Sequence, residues 1–104
     1  MIIREWRGRA DAARREAYPK HFHEKVVPEL RTVPGFIGAH LSRREHDGKI
    51  EYLVLTRWKS MDAIGAFAGT DVTKAMVEPG AVAALADFDS RVQHYEVLED
   101  VNAG

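Results

Sequence analysis

Two strand-like runs, FIGAHLSRREH and KIEYLVLTRWK, meet at Asp47-Gly48, and this junction restricts the fold more tightly than any other stretch. An Asp-Gly pair suits a two-residue type I′ turn, whose central residues both need positive φ, and such a turn leaves the flanking strands one register. His46 then faces Lys49, and the pairing continues as Arg44 with Glu51, Ser42 with Leu53, His40 with Leu55 and Gly38 with Arg57. The alternate rungs join Arg43 with Tyr52, Leu41 with Val54, Ala39 with Thr56 and Ile37 with Trp58. Arg44 against Glu51 is a favourable cross-strand charge pair, which supports the register. Apolar residues fall on both faces: Ile37, Leu41, Val54 and Trp58 on one, Phe36, Leu53 and Leu55 on the other. Helices of the chain can cover one face. Too few elements remain for the second, so a partner subunit, a homodimer, is the economical expectation.

The flanking segments complete the pattern. Residues 1–7 read as a short strand stopped by Gly8. From Asp11, a plausible N-cap, Tyr18, Phe22, Val26, Leu30 and Val33 form one apolar stripe along a helix that ends at Pro34-Gly35. Pro19 and Pro28 each delete an intrahelical hydrogen bond, so this helix is expected to kink or split. Ser60 caps a second helix, SMDAIGAFAG, with Met61, Ile64 and Phe67 as its apolar face and Gly69 at its end. Residues 70–86 read as irregular and helical pieces broken at Pro79-Gly80, and SRVQHYEVLE as a last strand. The order βαββαβ predicts a ferredoxin-like α+β sandwich, a four-stranded antiparallel sheet with helices on one face. At 104 residues the chain is expected to form a single domain, 1–104, around one core.

Charge and composition remove several functions. Fifteen Lys and Arg stand against 16 acidic residues, without long blocks of one sign, so neither nucleic acid nor an anionic membrane is an expected partner. The absence of cysteine excludes disulfides, thiolate metal sites and cysteine nucleophiles, and weakly favours a cytoplasmic location. Charge at Arg4 and Glu5 interrupts the apolar N-terminus, which therefore lacks the core of a signal peptide or membrane span. Within YPKHFHEKVVP, His21 and His23 lie about 200° apart on a helix and cannot face one ion, while His21 with Glu24 supplies only two ligands. No metal is expected.

The run LVLTRWKSMDAIGAFAGTD resembles the antibiotic biosynthesis monooxygenase family of dimeric α+β barrels, as do VPELRTVPGFIGAHLSRR, AMVEPGAVAALADFD and VQHYEV, so the resemblance spans nearly the whole chain. It implies that the backs of two sheets pack together to close a barrel. It also implies one of two chemistries: oxygenation of electron-rich phenols or quinols without metal or flavin, or haem degradation. In both, the tryptophan aligned with Trp58 lines a cavity between helices and sheet. The iron-holding histidine of the haem degraders aligns with Val77, and their first-strand amide falls near Trp6; both departures count against haem.

On this resemblance His21 and Trp58 are the candidate catalytic residues, with Trp6, Phe22, Tyr52, Thr56 and Phe67 as candidate substrate contacts and no cofactor. Trp58 also reads as an ordinary core tryptophan. His21 shares a helix flank with Ala13 and Ala17, whose small side chains would leave room for a phenol to bind or lose its proton. His23 is expected in solvent, His40 and Arg57 at an interface, and His94 at a sheet edge or interface. The ligand is expected to be a small aromatic or hydrophobic molecule, oxidised or, alternatively, bound without turnover.

Overall fold

The computed structural model describes residues 1–104. Its sheet is antiparallel and built on β1 (Ile2–Asp11), β2 (Phe36–His46) and β3 (Lys49–Trp58) in the order β2-β3-β1. Two short strands, β4 (Asp87–Phe88) and β5 (Gln93–Glu96), pair with β1 on its free side. The expected last strand, SRVQHYEVLE, is a strand only over Gln93–Glu96, and a short pairing at Asp87–Phe88 precedes it; between them the Asp89 N–H donates to the Arg7 carbonyl at 2.9 Å and its carbonyl accepts the indole N–H of Trp6.

The hairpin forms as its turn chemistry requires, with φ of 51° at Asp47 and 76° at Gly48. The predicted rungs hold from His46–Lys49 to Gly38–Arg57. One rung does not: a bulge between Phe36 and Gly38 sets Phe36, not Ile37, against Trp58. The extra residue turns the Phe36 ring inward, edge-on to Trp58 at 5.4 Å, and leaves Ile37 46% exposed. Gly8 is likewise not a break. Strand β1 runs through it to Asp11, and the glycine makes room for Leu85, whose Cδ1 would lie 2.9 Å from an added Cβ.

The first helical segment is split. A 3₁₀ turn at Ala12–Arg14 precedes α1 (Ala17–His21), a π-helical turn (Phe22–Val26) and α2 (Val27–Leu30). Pro28 has no N–H to return to the preceding turn, and the chain answers with a wider loop in which the Val27 N–H reaches the Phe22 carbonyl. The apolar stripe survives this: Tyr18, Phe22 and Leu30 are buried and Val26 is half-buried. Helix α3 (Met61–Ala68) begins at Ser60, whose hydroxyl accepts the Ala63 N–H at 3.2 Å, and ends at Gly69 with φ 84°. Helix α4 (Pro79–Ala84) follows.

All these helices lie on one face of the sheet, over the alternately buried residues of β3: Ile50, Tyr52, Val54, Thr56 and Trp58. Tyr18, Phe22, Tyr52 and Val54 centre one cluster; Leu30, Trp58 and Ile64 form another. The opposite face is bare of helices. There Leu53, Leu55 and Ile3 are half-buried, and Ile37 and Tyr95 are exposed.

Candidate functional site

Between the helices and the inner face of the sheet lies a cavity of about 190 Å³. Its floor follows from strand periodicity: Arg4 and Trp6 on β1 pair with Thr56 and Val54 on β3, and all four side chains point inward. Tyr18, His21, Val26 and Leu30 form the helical side, and Phe67 of α3 with Met76, Val77 and Glu78 completes the wall. The Trp6 indole donates to the Asp89 carbonyl at 2.7 Å and leans on Tyr18 at 5.8 Å between ring centres. Its orientation is therefore fixed before any ligand enters.

Polar groups gather at two poles. At the first, the His21 side chain is 10% exposed and its Nε2 has no hydrogen-bond partner; the nearest carboxylate oxygen, on Glu78, is 3.9 Å away. The imidazole fits there because of Gly80: a Cβ at that position would stand 2.8 Å from two ring atoms. Glu29 stands beside Glu78, and the hydrogen bond the two carboxyls can share once one is protonated, then burial and the repulsion between their charges, raise the Glu29 pKa. Burial, and then the charge of Glu78, raises the Tyr18 pKa as well, so its hydroxyl remains a neutral donor at the cavity wall.

The second pole is Arg4, 5% exposed. Its Nη1 donates to the Val72 carbonyl at 2.6 Å and lies 2.9 Å from His94 Nε2, and its Nη2 donates to the Lys74 carbonyl at 3.0 Å. No carboxylate lies within ion-pairing distance of it. The guanidinium carbon sits 6.0 Å from the centre of the Phe67 ring. Burial, followed by the charge of Arg4, depresses the His94 pKa, which keeps that imidazole neutral and able to accept from the arginine.

Of the seven residues expected at the site, Trp6, His21, Thr56 and Phe67 reach the cavity. Three do not. Trp58 is fully buried one layer behind the wall, its indole N–H donating to Thr56 Oγ1 at 2.8 Å and its ring 5.3 Å from Phe67. Tyr52 is fully buried and its hydroxyl donates to the Arg15 carbonyl, tying the sheet to the start of the helical segment. Phe22 is 6% exposed, within the core cluster. The room beside His21 comes from Gly80 and Ala81 rather than from Ala13, which is exposed in the 3₁₀ turn.

Arg4, Tyr18, Glu29 and Glu78 were not singled out in advance. Arg4 carried a readable signal, since it shares strand parity with Ile2, Trp6 and Ala10 and so belongs to the buried face. The carboxylate pair carried none, because Glu78 arrives from an irregular segment. No group of three or more His, Cys, Asp or Glu side chains is placed to hold a metal ion. No helix is long and apolar enough to cross a membrane.

An apolar cavity with a few convergent polar groups, roofed by helices on an antiparallel sheet, is a candidate small-molecule site on a ferredoxin-like α+β scaffold. The chain belongs to the antibiotic biosynthesis monooxygenase family, whose model matches residues 1–79. None of the curated proteins is a significant match. Among solved structures, a mutant of MhuD with two manganese protoporphyrin IX molecules per active site superposes with a TM-score of 0.70 at 22% identity, covering 99% of this chain and 100% of that one. The haem degrader MhuD of Mycobacterium tuberculosis, with two haems in its active site, gives 0.67 at 21% identity over 98% and 100% of the two chains. A Deinococcus radiodurans protein assigned to the antibiotic biosynthesis monooxygenases gives 0.64 at 18% identity over 100% and 99%.

Proposed function

We propose that the chain is a small oxygenase that needs no bound cofactor and oxidises an electron-rich phenol or quinol in this cavity. The observation that carries the reading is the unpartnered, buried Nε2 of His21 at the wall of a mostly apolar chamber. A buried imidazole nitrogen without a partner is costly unless something visits it. A phenolic O–H is such a visitor. His21 takes its proton, Glu78 faces the imidazolium that results, and the apolar walls of Trp6, Val54 and Phe67 hold the ring. The deprotonated substrate then supplies the electrons to oxygen, one oxygen atom being kept as a carbonyl and the other leaving as water.

Haem fits these residues poorly. Val77, at the position expected for an iron ligand, offers no donor, and the one imidazole on the wall stands beside Glu78. The test of the oxygenase reading is oxygen uptake with anthrone and with a dihydroxynaphthalene, run beside boiled protein. Uptake several-fold above the boiled control is expected. Equal rates would end the reading for these substrates, and binding of the same compounds without uptake would make the cavity a binding module.

The bare face of the sheet belongs to the same proposal. Leu53, Leu55, Ile37 and Tyr95 are interspersed with charges there, and a second copy packing on that face would close a barrel in a cytoplasmic homodimer. Sedimentation at micromolar concentration should return twice the chain mass of 11.7 kDa; a monomer would contradict it.

A further inference from the structure

We infer that the ligand of this cavity is an aromatic anion, its carboxylate held by Arg4 at the pole opposite His21. The inference rests on the proposed aromatic site and adds the charge of what enters it. Arg4, 5% exposed as a residue, is expected to meet a carboxylate, because an uncompensated charge held mostly away from water is unfavourable. Arg4 has none. Its protein partners are the carbonyls of Val72 and Lys74 and the neutral ring of His94, which satisfy hydrogen-bond donors without neutralising the charge.

Three of the five guanidinium donors are engaged in this way, and the planar fork retains two more for an oxyanion. The group is also held in place: the two carbonyls come from the chain just after α3, and Phe67 lies under the cation. A rigid, under-neutralised arginine at the wall of an apolar chamber is built to bind a negative charge. Burial lowers the Arg4 pKa, the direction that an anionic partner would reverse.

The geometry also sets the ligand's shape. Arg4 and Trp6 are two residues apart on one strand, about 7 Å; the Trp6 ring lies 5.8 Å from Tyr18, which in turn lies 6.1 Å from His21, and all four line the cavity. A flat bicyclic acid with its carboxylate and hydroxyl at opposite ends spans the two poles. Hydroxyl at His21 and carboxylate at Arg4 then fix which carbon is presented to oxygen.

Calorimetric titration of the full chain with 6-hydroxy-2-naphthoate and with 2-naphthol tests this without requiring turnover. The naphthoate should bind at least about tenfold tighter, as one charge-assisted contact supports. Arg4→Met should bring the two affinities within about twofold, chiefly by weakening the naphthoate, and Arg4→Lys should keep part of the preference. If Arg4→Met does not fold, the wild-type ratio and Arg4→Lys still decide. Equal binding of both compounds by the wild-type chain overturns the anion and leaves the aromatic cavity standing. A preference that survives Arg4→Met but disappears in His21→Ala overturns the assignment to Arg4. Failure of both compounds to bind overturns the aromatic reading and this inference with it, whereas a preference without oxygen uptake upholds the inference and ends only the oxygenase.

Discussion

Urea unfolding of a Trp58→Ala variant should show a loss of about 3–5 kcal/mol, a large share of the roughly 5–15 kcal/mol that holds a domain folded. Trp58 is 0% exposed and joins two layers of the second core cluster. Its ring meets Phe36 edge-on at 5.4 Å and Phe67 at 5.3 Å, and its N–H supplies the Thr56 hydroxyl at 2.8 Å. Truncation opens a void that Leu30 and Ile64 cannot fill, and it leaves Thr56 Oγ1 with only a 3.5 Å contact of its own to the Arg4 carbonyl. Trp58→Phe should cost less, because the ring volume is largely kept and mainly the hydrogen bond is lost. A loss below about 1 kcal/mol for Trp58→Ala, with ligand affinity collapsing instead, would mean that the indole faces the ligand.

The distinction shows how far the sequence could be read. Local chemistry carried the hairpin: Asp47 and Gly48 set the turn, and period-two alternation then placed every rung down to Gly38. The bulge at Ile37 escaped notice because it serves a distant contact, Phe36 against Trp58. Alternation put Trp58 on the inner face correctly, but which inner residues touch a cavity depends on what lies above them. Phe67 packs on Trp58, whereas Thr56 lines the cavity. Gly8 looks like a break in sequence for a related reason, since its smallness serves Leu85, far along the chain, rather than a turn. The stripe from Tyr18 to Leu30 was legible through two prolines because its steps of four residues stay nearly in line where the turn widens and each residue rotates less about the axis than in an α-helix. Arg4 was passed over because a charge in a strand is ordinarily solvated, although its parity argued otherwise.

The remaining large effect concerns His21. His21→Ala should lower kcat/KM for quinol oxidation by about a hundredfold to ten-thousandfold, the usual contribution of a positioned general base. Stability should respond differently from Trp58→Ala. The removed ring takes with it an unpartnered buried nitrogen, so the urea midpoint should stay the same or rise slightly. Gly80→Ala provides the companion measurement. Its new Cβ, 2.8 Å from the imidazole in the present geometry, must displace the ring while leaving its chemistry intact. A base that acts by position then loses kcat although the histidine is still present, with KM for the aromatic ring nearly unchanged because Trp6 and Phe67 still hold it. If both variants turn over quinol at the wild-type rate, His21 is not the base, and the unpartnered nitrogen must serve binding alone.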